Sequence, residues 1–425
     1  MRRALWLLLI LPACGTPCPR DPLAPVADPA WVVRMHEPPD LSLPVGMPGG
    51  ETFTDPPGMQ TYAAFALYDG AGLLANERWL DTYTTLPRVP GTVNAACSIP
   101  SRLAPGVLTV LLADGTRPAV SLDAASGARA GELVTYASPP EVAGQLVDLA
   151  ALGDGRALVS RRRAPGGVGG DVLLVDDGER GVLFTYALGA LSTGAVEPGA
   201  IALVEEGGAP TRAVVGLALP GEPASGAVAV IDTTTGEARR LDLPGLERCG
   251  AVVALAPSAD GVARVAVLCV GDLTREPAER AGVGLALLEA PPGLPVTVAS
   301  TRLASSLFSG RVPSRALVAL AGAWVAVLAE GDPDGSRPDA VIAVHLGSDA
   351  ATLLLEAPWT EAFGASLGQG DFRGTELWWP DARGAVHRFA MQGEDERATF
   401  ELLAGAPLPG CSRLPPREVR AIPPR

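Results

Sequence analysis

The sequence predicts an all-β fold made of repeated four-stranded antiparallel sheets. The first observation is a repeat: an apolar, β-prone run ends in an acidic residue, a glycine follows within a few positions, and a second β-prone run comes next. Five acidic anchors mark the copies, namely Asp69, Asp123, Asp176, Asp232 and Glu289. Their steps of 54, 53, 56 and 57 residues indicate an array of identical supersecondary units.

Composition is the second observation. The 425 residues include 50 Gly and 41 Pro, which is typical of a turn-rich chain, and no amphipathic stretch of helical period and useful length is present. Hydrophobic residues make up 48% of the chain, but aromatic residues only 5%. We therefore expect a core of Ala, Val and Leu between closely packed sheets.

The spacing within each unit predicts four strands. In the fourth unit they are Ala200–Val204, Ala213–Ala218, Ala227–Asp232 and Glu237–Leu243. In the fifth unit they are Ala251–Ala256, Ala263–Val270, Val283–Leu288 and Val296–Leu303. Weaker anchor copies near Val344 and Phe389 bring the count to seven units. Seven such sheets arranged radially form a seven-bladed β-propeller, an arrangement that leaves few exposed sheet edges.

The two ends of the chain predict how the ring closes. The first anchor strand, Tyr62–Tyr68, has only Trp31–Met35 as a clear β-run upstream, so its unit lacks an inner strand. Residues 411–421 begin where an eighth unit would start, and too little chain follows to build one. We expect a C-terminal strand to complete the first blade and close the ring.

One apolar run has a rival interpretation. Ala316 to Ala329 is continuously apolar and could form a buried helix or part of a membrane span. It is shorter than the roughly 20 residues that a spanning helix needs. Ala321 and Gly322 divide it into two strand-length halves where the repeat places an inner hairpin, so we predict the hairpin.

Two turns in the repeat resemble those of a known architecture. They are Ser258-Ala259-Asp260-Gly261 in an inner turn and Val230-Ile231-Asp232-Thr233, followed by Gly236, in an outer turn. Units of this kind resemble the YncE-like and lactonase-like seven-bladed repeats. The resemblance implies the architecture alone, because that superfamily includes enzymes, binding proteins and scaffolds.

The N-terminus predicts export. Arg2 and Arg3 precede an apolar run, Ala4–Leu11, which ends in a small residue before Cys14. This resembles a bacterial lipoprotein signal, in which the cysteine becomes the first mature residue and carries the lipid. We expect a signal peptide at 1–13, lipidation at Cys14, and a location on the outer membrane or elsewhere in the cell envelope. A plain cleaved signal and an uncleaved or cytoplasmic N-terminus are the alternatives.

The expected mature chain has two parts. Residues 14–30 form a Pro-rich tether, which can hold a domain away from a surface, and residues 31–425 form a single propeller domain. The formal charge of −14 becomes more negative once the segment with Arg2 and Arg3 is removed. Nucleic acid is therefore excluded as a partner, and contact with the membrane is expected through the lipid anchor alone.

The cysteines predict disulfides. Cys249 and Cys269 flank a turn centred on residue 259, so a simple hairpin places them opposite each other, at a separation that a disulfide can bridge. Cys97 and Cys411 occupy the same phase of the repeat on blades that closure makes neighbours, so a bridge between them could lock the ring. Free buried thiols or a bridge to Cys18 are the alternatives, and Cys18 is otherwise left over.

Metal and catalytic signals are weak, and no cofactor is expected. The three histidines are His36, His345 and His387. The last two lie on anchor strands, where a hydrogen-bonded or half-exposed histidine is the expectation, and no paired Cys or His spacing offers a zinc site. Asp332, Asp334 and Asp339 are spaced as in some calcium loops. They lack the remaining ligands of an EF-hand, so calcium is a weak possibility there.

Two further segments are interpreted as structural. Arg161, Arg162 and Arg163, followed by the glycines of 166–170, could suggest a phosphate cradle, but the glycine spacing and the following strand do not fit a dinucleotide fingerprint. We expect a solvated loop between strands. In the pair Trp378-Trp379, one ring is expected to pack inside while its neighbour points the other way.

Two function classes remain open on the sequence. The favoured one is a non-enzymatic, monomeric, lipid-anchored propeller that binds a protein or glycan ligand at one face. The other is a secreted, lactonase-like hydrolase that uses carboxylates around the central channel, with or without calcium. A channel-bound metal with three or more carboxylate ligands would distinguish them.

Overall fold

The computed structural model describes most of the blades and part of the connecting chain. The described residues are 30–36, 63–70, 74–80, 95–101, 107–112, 119–123, 145–153, 155–162, 170–176, 181–220, 222, 225–272, 275, 279–332, 336–348, 350–357, 369–381, 385–403 and 416–422. Within them the fold is almost entirely β, with a 3-10 turn at Leu188–Leu191 and a four-residue helix at Ala304–Leu307. None of these described helical segments is long and apolar enough to cross a membrane.

The strands form seven antiparallel sheets, which are the blades. Blades 1 and 2 contain β1 (Trp31–His36), β2 (Ala63–Tyr68), β3 (Leu74–Leu80), β4 (Ala95–Ser101), β5 (Val107–Leu112) and β6 (Ala119–Asp123). Blades 3 and 4 contain β7 (Gln145–Ala151), β8 (Arg156–Arg162), β9 (Asp171–Asp176), β10 (Gly181–Ala187), β11 (Glu197–Glu206), β12 (Ala209–Ala218), β13 (Gly226–Asp232) and β14 (Ala238–Leu243).

The remaining blades follow the same plan. Blades 5 and 6 contain β15 (Ala251–Leu255), β16 (Ala263–Val270), β17 (Val283–Ala290), β18 (Thr297–Leu303), β19 (Val312–Ala319), β20 (Trp324–Glu330), β21 (Asp339–His345) and β22 (Ala351–Ala357). Blade 7 contains β23 (Asp371–Arg373), β24 (Glu376–Asp381), β25 (Ala385–Gln392) and β26 (Thr399–Leu402), and the last strand is β27 (Pro416–Ala421). The hairpin predicted within 316–329 is present as β19 and β20.

The seven-bladed ring predicted from the sequence is confirmed. Each first strand contacts the first strand of the next blade, in the cycle β4, β7, β11, β15, β19, β23, β27 and back to β4. Six blades have four strands, and blade 2 has three within the described residues. The fourth strand expected for blade 2 falls within 124–144, which lies outside the described residues.

The C-terminal strand completes blade 1, as predicted. Strand β27 pairs antiparallel with β1, so the sheet order is β27-β1-β2-β3 and β27 supplies the missing first strand. Hydrogen bonds from the Val419 N–H to the Gln369 carbonyl, 2.8 Å, and from the Ala421 N–H to an Asp371 carboxylate oxygen, 2.9 Å, join it to blade 7. The two ends of the chain thus meet at one seam.

Aromatic side chains fill the seam between blades 1 and 7. The rings of Trp31 and Trp378 stack with centroids 4.5 Å apart, and Tyr68 meets Trp378 edge-on at 5.8 Å. The Arg388 guanidinium lies 4.9 Å from the Trp378 ring centroid. Large rings with directional contacts make this interface specific as well as apolar.

The core lies between the blades. The anchor strands are the third strands, and β13 is almost wholly buried because both of its faces pack against neighbouring blades. That burial explains its unbroken apolar run, whereas the outer strand β18 alternates exposed and half-buried residues. The slabs between blades 3 and 4 and between blades 4 and 5 consist mainly of Ala, Val and Leu, as predicted.

The disulfide between Cys249 and Cys269 is present, but the predicted hairpin register was wrong by one residue. Ala251 pairs with Leu268, so the continued ladder would place Val270, rather than Cys269, opposite Cys249. Cys249 leaves the ladder and donates its N–H to the Leu217 carbonyl of blade 4, 2.9 Å away. The bridge therefore starts from the connector that joins blade 4 to blade 5.

Glycines allow this connector to approach blade 4. A Cβ at Gly199 would lie 1.8 Å from the Gly250 carbonyl oxygen, and one at Gly216 would lie 2.5 Å from that of Cys249. The Gly250 carbonyl instead accepts the Ala200 N–H at 2.9 Å. The Val270 N–H of blade 5 also donates to the Arg248 carbonyl at 3.2 Å, so the disulfide fixes a backbone segment that is hydrogen-bonded to two blades.

Candidate ligand-binding site

The repeat signal forms a capped turn after the third strand of blade 4. One Asp232 carboxylate oxygen accepts the backbone N–H groups of Thr234 and Thr235 at 2.9 and 2.7 Å, and the Thr235 bond is the main cause that lowers the pKa of Asp232. Gly236 has a φ of 79°, a conformation that favours glycine. The acid and the glycine are therefore both explained by the turn.

Strand register brings charged residues together at this end of blade 4. Arg212 on β12 pairs with Asp232 on β13, and Val230 pairs with Arg239 on β14. The Asp232 N–H also donates to the Glu237 carbonyl, which continues the β13–β14 ladder by one step. Cross-strand partners share a face of the sheet, and Val230 belongs to the core between blades 4 and 5. The polar residues therefore lie at the rim of an inter-blade interface.

A pocket of about 380 Å³ occupies this rim, and we call it the inter-blade pocket. Blade 4 supplies its polar lining from Glu206, Thr211, Arg212, Asp232, Glu237 and Arg239. Blade 5 supplies Gly293, Leu294 and Pro295 from the turn after β17, which is the next copy of the repeat. Its volume falls at the lower end of the range of small-molecule sites, about 300–1,000 Å³.

Arg212 holds the two blades in place around the pocket. Its guanidinium donates to the carbonyls of Ala290, Pro291 and Leu294 in blade 5 and forms an ion pair with Glu206. The Pro291 bond is 2.9 Å long, and Arg212 is 92% buried. Arg212 is therefore a positioning residue that shapes the pocket floor.

Several pocket groups have no partner within the described part of the chain. The Arg212 Nε and the Thr211 hydroxyl are buried and make no hydrogen bond there. Glu237 and Arg239 are exposed at the rim, and neither side chain forms an ion pair with any described residue. The pocket thus presents a carboxylate and a guanidinium that the fold itself does not use.

Carboxylates on the first strands of the blades form structural hydrogen bonds. Asp148 on β7 accepts the Ile201 N–H of blade 4 at 2.8 Å, and Asp371 on β23 accepts the Ala421 N–H of blade 1 at 2.9 Å. Each also accepts the N–H of the residue that follows it, 2.8 Å away. Burial raises the pKa of Asp371. Glu418 on β27 is buried and pairs with Arg420 at 2.7 Å. Asp148 and Asp371 thus join neighbouring blades, whereas the Glu418 carboxylate pairs within its own strand.

In the candidate calcium loop, Asp332 and Asp339 accept hydrogen bonds from groups of the same loop. Asp332 accepts a hydrogen bond from the Ser336 hydroxyl at 2.9 Å, and Asp339 accepts the Gly331 N–H at 2.8 Å. Asp334 lies outside the described residues. Among the residues that are described, no group of three His, Cys, Asp or Glu side chains is placed to hold a metal ion.

Replacing Asp339 by Asn should stabilise the protein at neutral pH. Burial raises the pKa of Asp339 from 3.8 to about 6. The protonated form therefore supports folding fully below pH 3.8, and this contribution is lost as the pH rises through about 6. Asn retains the acceptor oxygen for the Gly331 N–H without a charge, so we expect a gain of roughly 1–3 kcal/mol at pH 7 and little change at pH 4. Urea unfolding at both pH values measures it, and equal effects at the two would contradict the account.

The anchor-strand histidine His345 is structural, in agreement with the prediction. It is half-buried, its Nδ1 lies 2.9 Å from the Ser348 hydroxyl, and its ring packs 5.3 Å from that of Trp324. Burial lowers its pKa. His387 is half-buried on β25. The side chain of His36, on β1, lies outside the described residues.

Two structural predictions are corrected. Arg161 is not in a solvated loop; it lies on β8, fully buried, with its guanidinium 2.7 Å from an Asp171 carboxylate oxygen. Its charge is neutralised by a partner ten residues away on β9, which makes burial tolerable. Trp378 and Trp379 do point to opposite faces, but both are fully buried, because blade 7 packs against blade 1 on one side and blade 6 on the other.

The remaining predicted sites cannot be placed. Cys14, Cys18 and Cys411 lie outside the described residues. Cys97 lies on β4, but its side chain is not described. The lipidation site and the bridge between Cys97 and Cys411 therefore stay predictions.

Three solved structures match this chain at low sequence identity. The trigonal crystal form of the D477G ACO/RPE65 chimera matches with a TM-score of 0.51 at 11% identity, over 94% of this chain and 97% of that one. The chain is a β-propeller repeat protein. The RRP9 WD40 repeats match with a TM-score of 0.49 at 13% identity, over 76% of this chain and 83% of that one. BamB from Moraxella catarrhalis matches with a TM-score of 0.37 at 13% identity, over 88% and 90%.

Similarity at this level of identity concerns the fold alone. No protein-family model matches the chain, and no curated protein matches it in sequence. What the propeller does must therefore be argued from its own residues.

The inter-blade pocket and its arginine clamp were missed by the sequence analysis. One signal was available: an arginine precedes the acidic anchor by 20 residues in units 3 and 4, as Arg156 and Asp176, and as Arg212 and Asp232. Both pairs lie directly opposite each other in the sheet. That the Arg212 guanidinium reaches the next blade could not be read from this spacing.

Proposed function

We propose that the protein is a lipid-anchored, non-enzymatic binding protein of the bacterial cell envelope. The observation that carries the binding role is the inter-blade pocket, where Glu237 and Arg239 have no partner within the described chain. By contrast, the first-strand carboxylates Asp148 and Asp371 accept backbone N–H groups of neighbouring blades. Carboxylates that are already hydrogen-bonded within the fold are poor candidates for general acid–base catalysis. Unpaired charged groups in a pocket are available to bind a ligand.

The anchor rests on the sequence. A basic pair, an apolar run and the Ala13-Cys14 junction precede a Pro-rich tether that would hold the ring away from the membrane. The capped outer turn at Asp232 and the inner turn at Ser258–Gly261 support the proposed kinship with YncE-like and lactonase-like repeats. In the inner turn the Gly261 N–H donates to the Ser258 carbonyl at 2.8 Å.

The anchor predicts a specific lipid label. Wild-type protein made in a bacterium and grown with labelled palmitate should incorporate the label, and Cys14→Ser should abolish incorporation, because Cys14 would carry the acyl chains. Cys18→Ser is the matched control, four residues further along the same tether, and should keep the label. Incorporation that survives Cys14→Ser would overturn the lipoprotein assignment.

A further inference from the structure

Two oppositely charged residues of the inter-blade pocket indicate which kind of ligand fits it. Glu237 and Arg239 are separated by one residue, so on an extended strand their Cα atoms are about 6.6 Å apart and their side chains leave the same face. They carry opposite charges but form no ion pair with each other. A ligand with two opposite charges close together could engage both.

The rest of the lining restricts the ligand's size and net charge. Glu206 is paired with Arg212, and one Asp232 oxygen caps its own turn, so the rim groups are the main uncommitted charges. Carboxylates outnumber guanidiniums in the lining by one, which disfavours a polyanion. The volume of about 380 Å³ suits a small molecule.

An apolar wall accompanies the charges. Val230 forms part of the floor, while Leu294 in the blade 5 turn is 60% exposed beside the pocket. A large, exposed leucine next to unpaired charges offers a surface for an aliphatic group. The pocket thus combines an acidic contact, a basic contact and an apolar contact.

We propose that the inter-blade pocket binds a free α-amino acid through its ammonium and carboxylate groups. This inference rests on the binding role proposed above and names the ligand class. Arg239 receives the ligand carboxylate in a bidentate contact, Glu237 receives the ammonium, and the ligand side chain lies on Leu294. Arg212 keeps the blade 5 turn in position.

Four probes test the proposal by titration calorimetry on the full chain in detergent. They are L-leucine, L-leucinamide, which lacks the carboxylate, N-acetyl-L-leucine, which lacks the ammonium, and glucose. We expect L-leucine to bind at least about tenfold more tightly than either derivative, since each lost charge-assisted contact is worth about 1.5–3 kcal/mol. Leucyl-glycine, in which the ammonium and the carboxylate lie on different residues, should bind more weakly than L-leucine.

Two variants assign the contacts. Arg239→Gln should weaken L-leucine binding about tenfold. The affinity for L-leucinamide should not change, because this probe has no carboxylate for Arg239 to bind. Glu237→Gln should weaken L-leucine and leave N-acetyl-L-leucine unchanged. Both residues are exposed and unpaired, so the melting temperature should not move. Arg397→Gln and Glu205→Gln, exposed charges outside the pocket lining, are the matched controls and should bind like the wild type.

Three results would overturn the proposal. The first is that no probe binds at a concentration of about 10 mM. The second is equal binding of L-leucine and its two derivatives, and the third is glucose binding that depends on Arg239. The labelling of Cys14 is independent of all three. A failed titration with intact labelling therefore removes the ligand class and keeps the anchored protein.

Discussion

Removing residues 416–425 should destabilise the protein more than any other change of similar length. The deletion takes away β27, and with it the pairing to β1 and the bonds from Val419 and Ala421 to blade 7. It also exposes the seam that Trp31 and Trp378 fill. Lost hydrogen bonds and the lost burial of Val419 and Ile422 together amount to on the order of 5 kcal/mol.

Thermal melting and limited proteolysis measure this loss. We expect a lower melting temperature and new cleavage within β1, residues 31–36, because that strand becomes an exposed edge. Removing only residues 423–425 is the control and should change neither, since β27 remains. A protein without residues 416–425 that keeps both its melting temperature and its digestion pattern would show that the ring closes in another way.

Loss of the disulfide between Cys249 and Cys269 should have the next largest effect. A closed loop of about 20 residues corresponds to roughly 3 kcal/mol in the chain-entropy model, and pairing within the hairpin reduces that figure somewhat. The bridge also fixes the connector whose Cys249 N–H is bonded to Leu217 of blade 4. We therefore expect a loss of about 2–3 kcal/mol in the double variant Cys249→Ala/Cys269→Ala.

Peptide mapping without reductant checks the bridge itself. Protein purified from an oxidising compartment should give one linked pair of peptides containing Cys249 and Cys269. The double variant avoids a free buried thiol, and wild-type protein unfolded in the presence of reductant provides the reference. Finding both thiols free, or a double variant as stable as the wild type, would contradict the account of this connector.

The sequence predicted the architecture because the relevant signals are local and repeated. An acidic residue followed closely by a glycine recurs in five units of the sequence, so the period was readable without any knowledge of packing. In blade 4 the acid, Asp232, caps the turn and Gly236 has a positive φ. The closing strand followed from counting units, since blade 1 lacked a first strand and residues 416–421 had no other place.

What the sequence did not predict depends on contacts between distant segments. Arg161 was expected in a solvated loop once the glycine spacing excluded a phosphate cradle, and only the pairing of β8 with β9 brings Asp171 to it. The predicted register of the disulfide hairpin was wrong by one residue, and the bridge still forms because Cys249 leaves the ladder and bonds to blade 4.

The inter-blade pocket was missed for the same reason. Each of its two turns is an ordinary copy of the repeat, at Asp232 in blade 4 and at Gly293 in blade 5. The site exists only where Arg212 joins the two blades. A period along the chain gives the positions of the turns but contains no information on which neighbouring copies leave a cavity between them.

Amide hydrogen exchange on the intact chain tests ring closure most directly. The backbone N–H groups of Val419 and Ala421 are bonded across the seam, so a peptide covering residues 416–421 should be protected to the same degree as one covering β1, residues 31–36. That result would establish a ring closed by its own C-terminus. Complete exchange of 416–421 within seconds, while β1 and β2 stay protected, would contradict it.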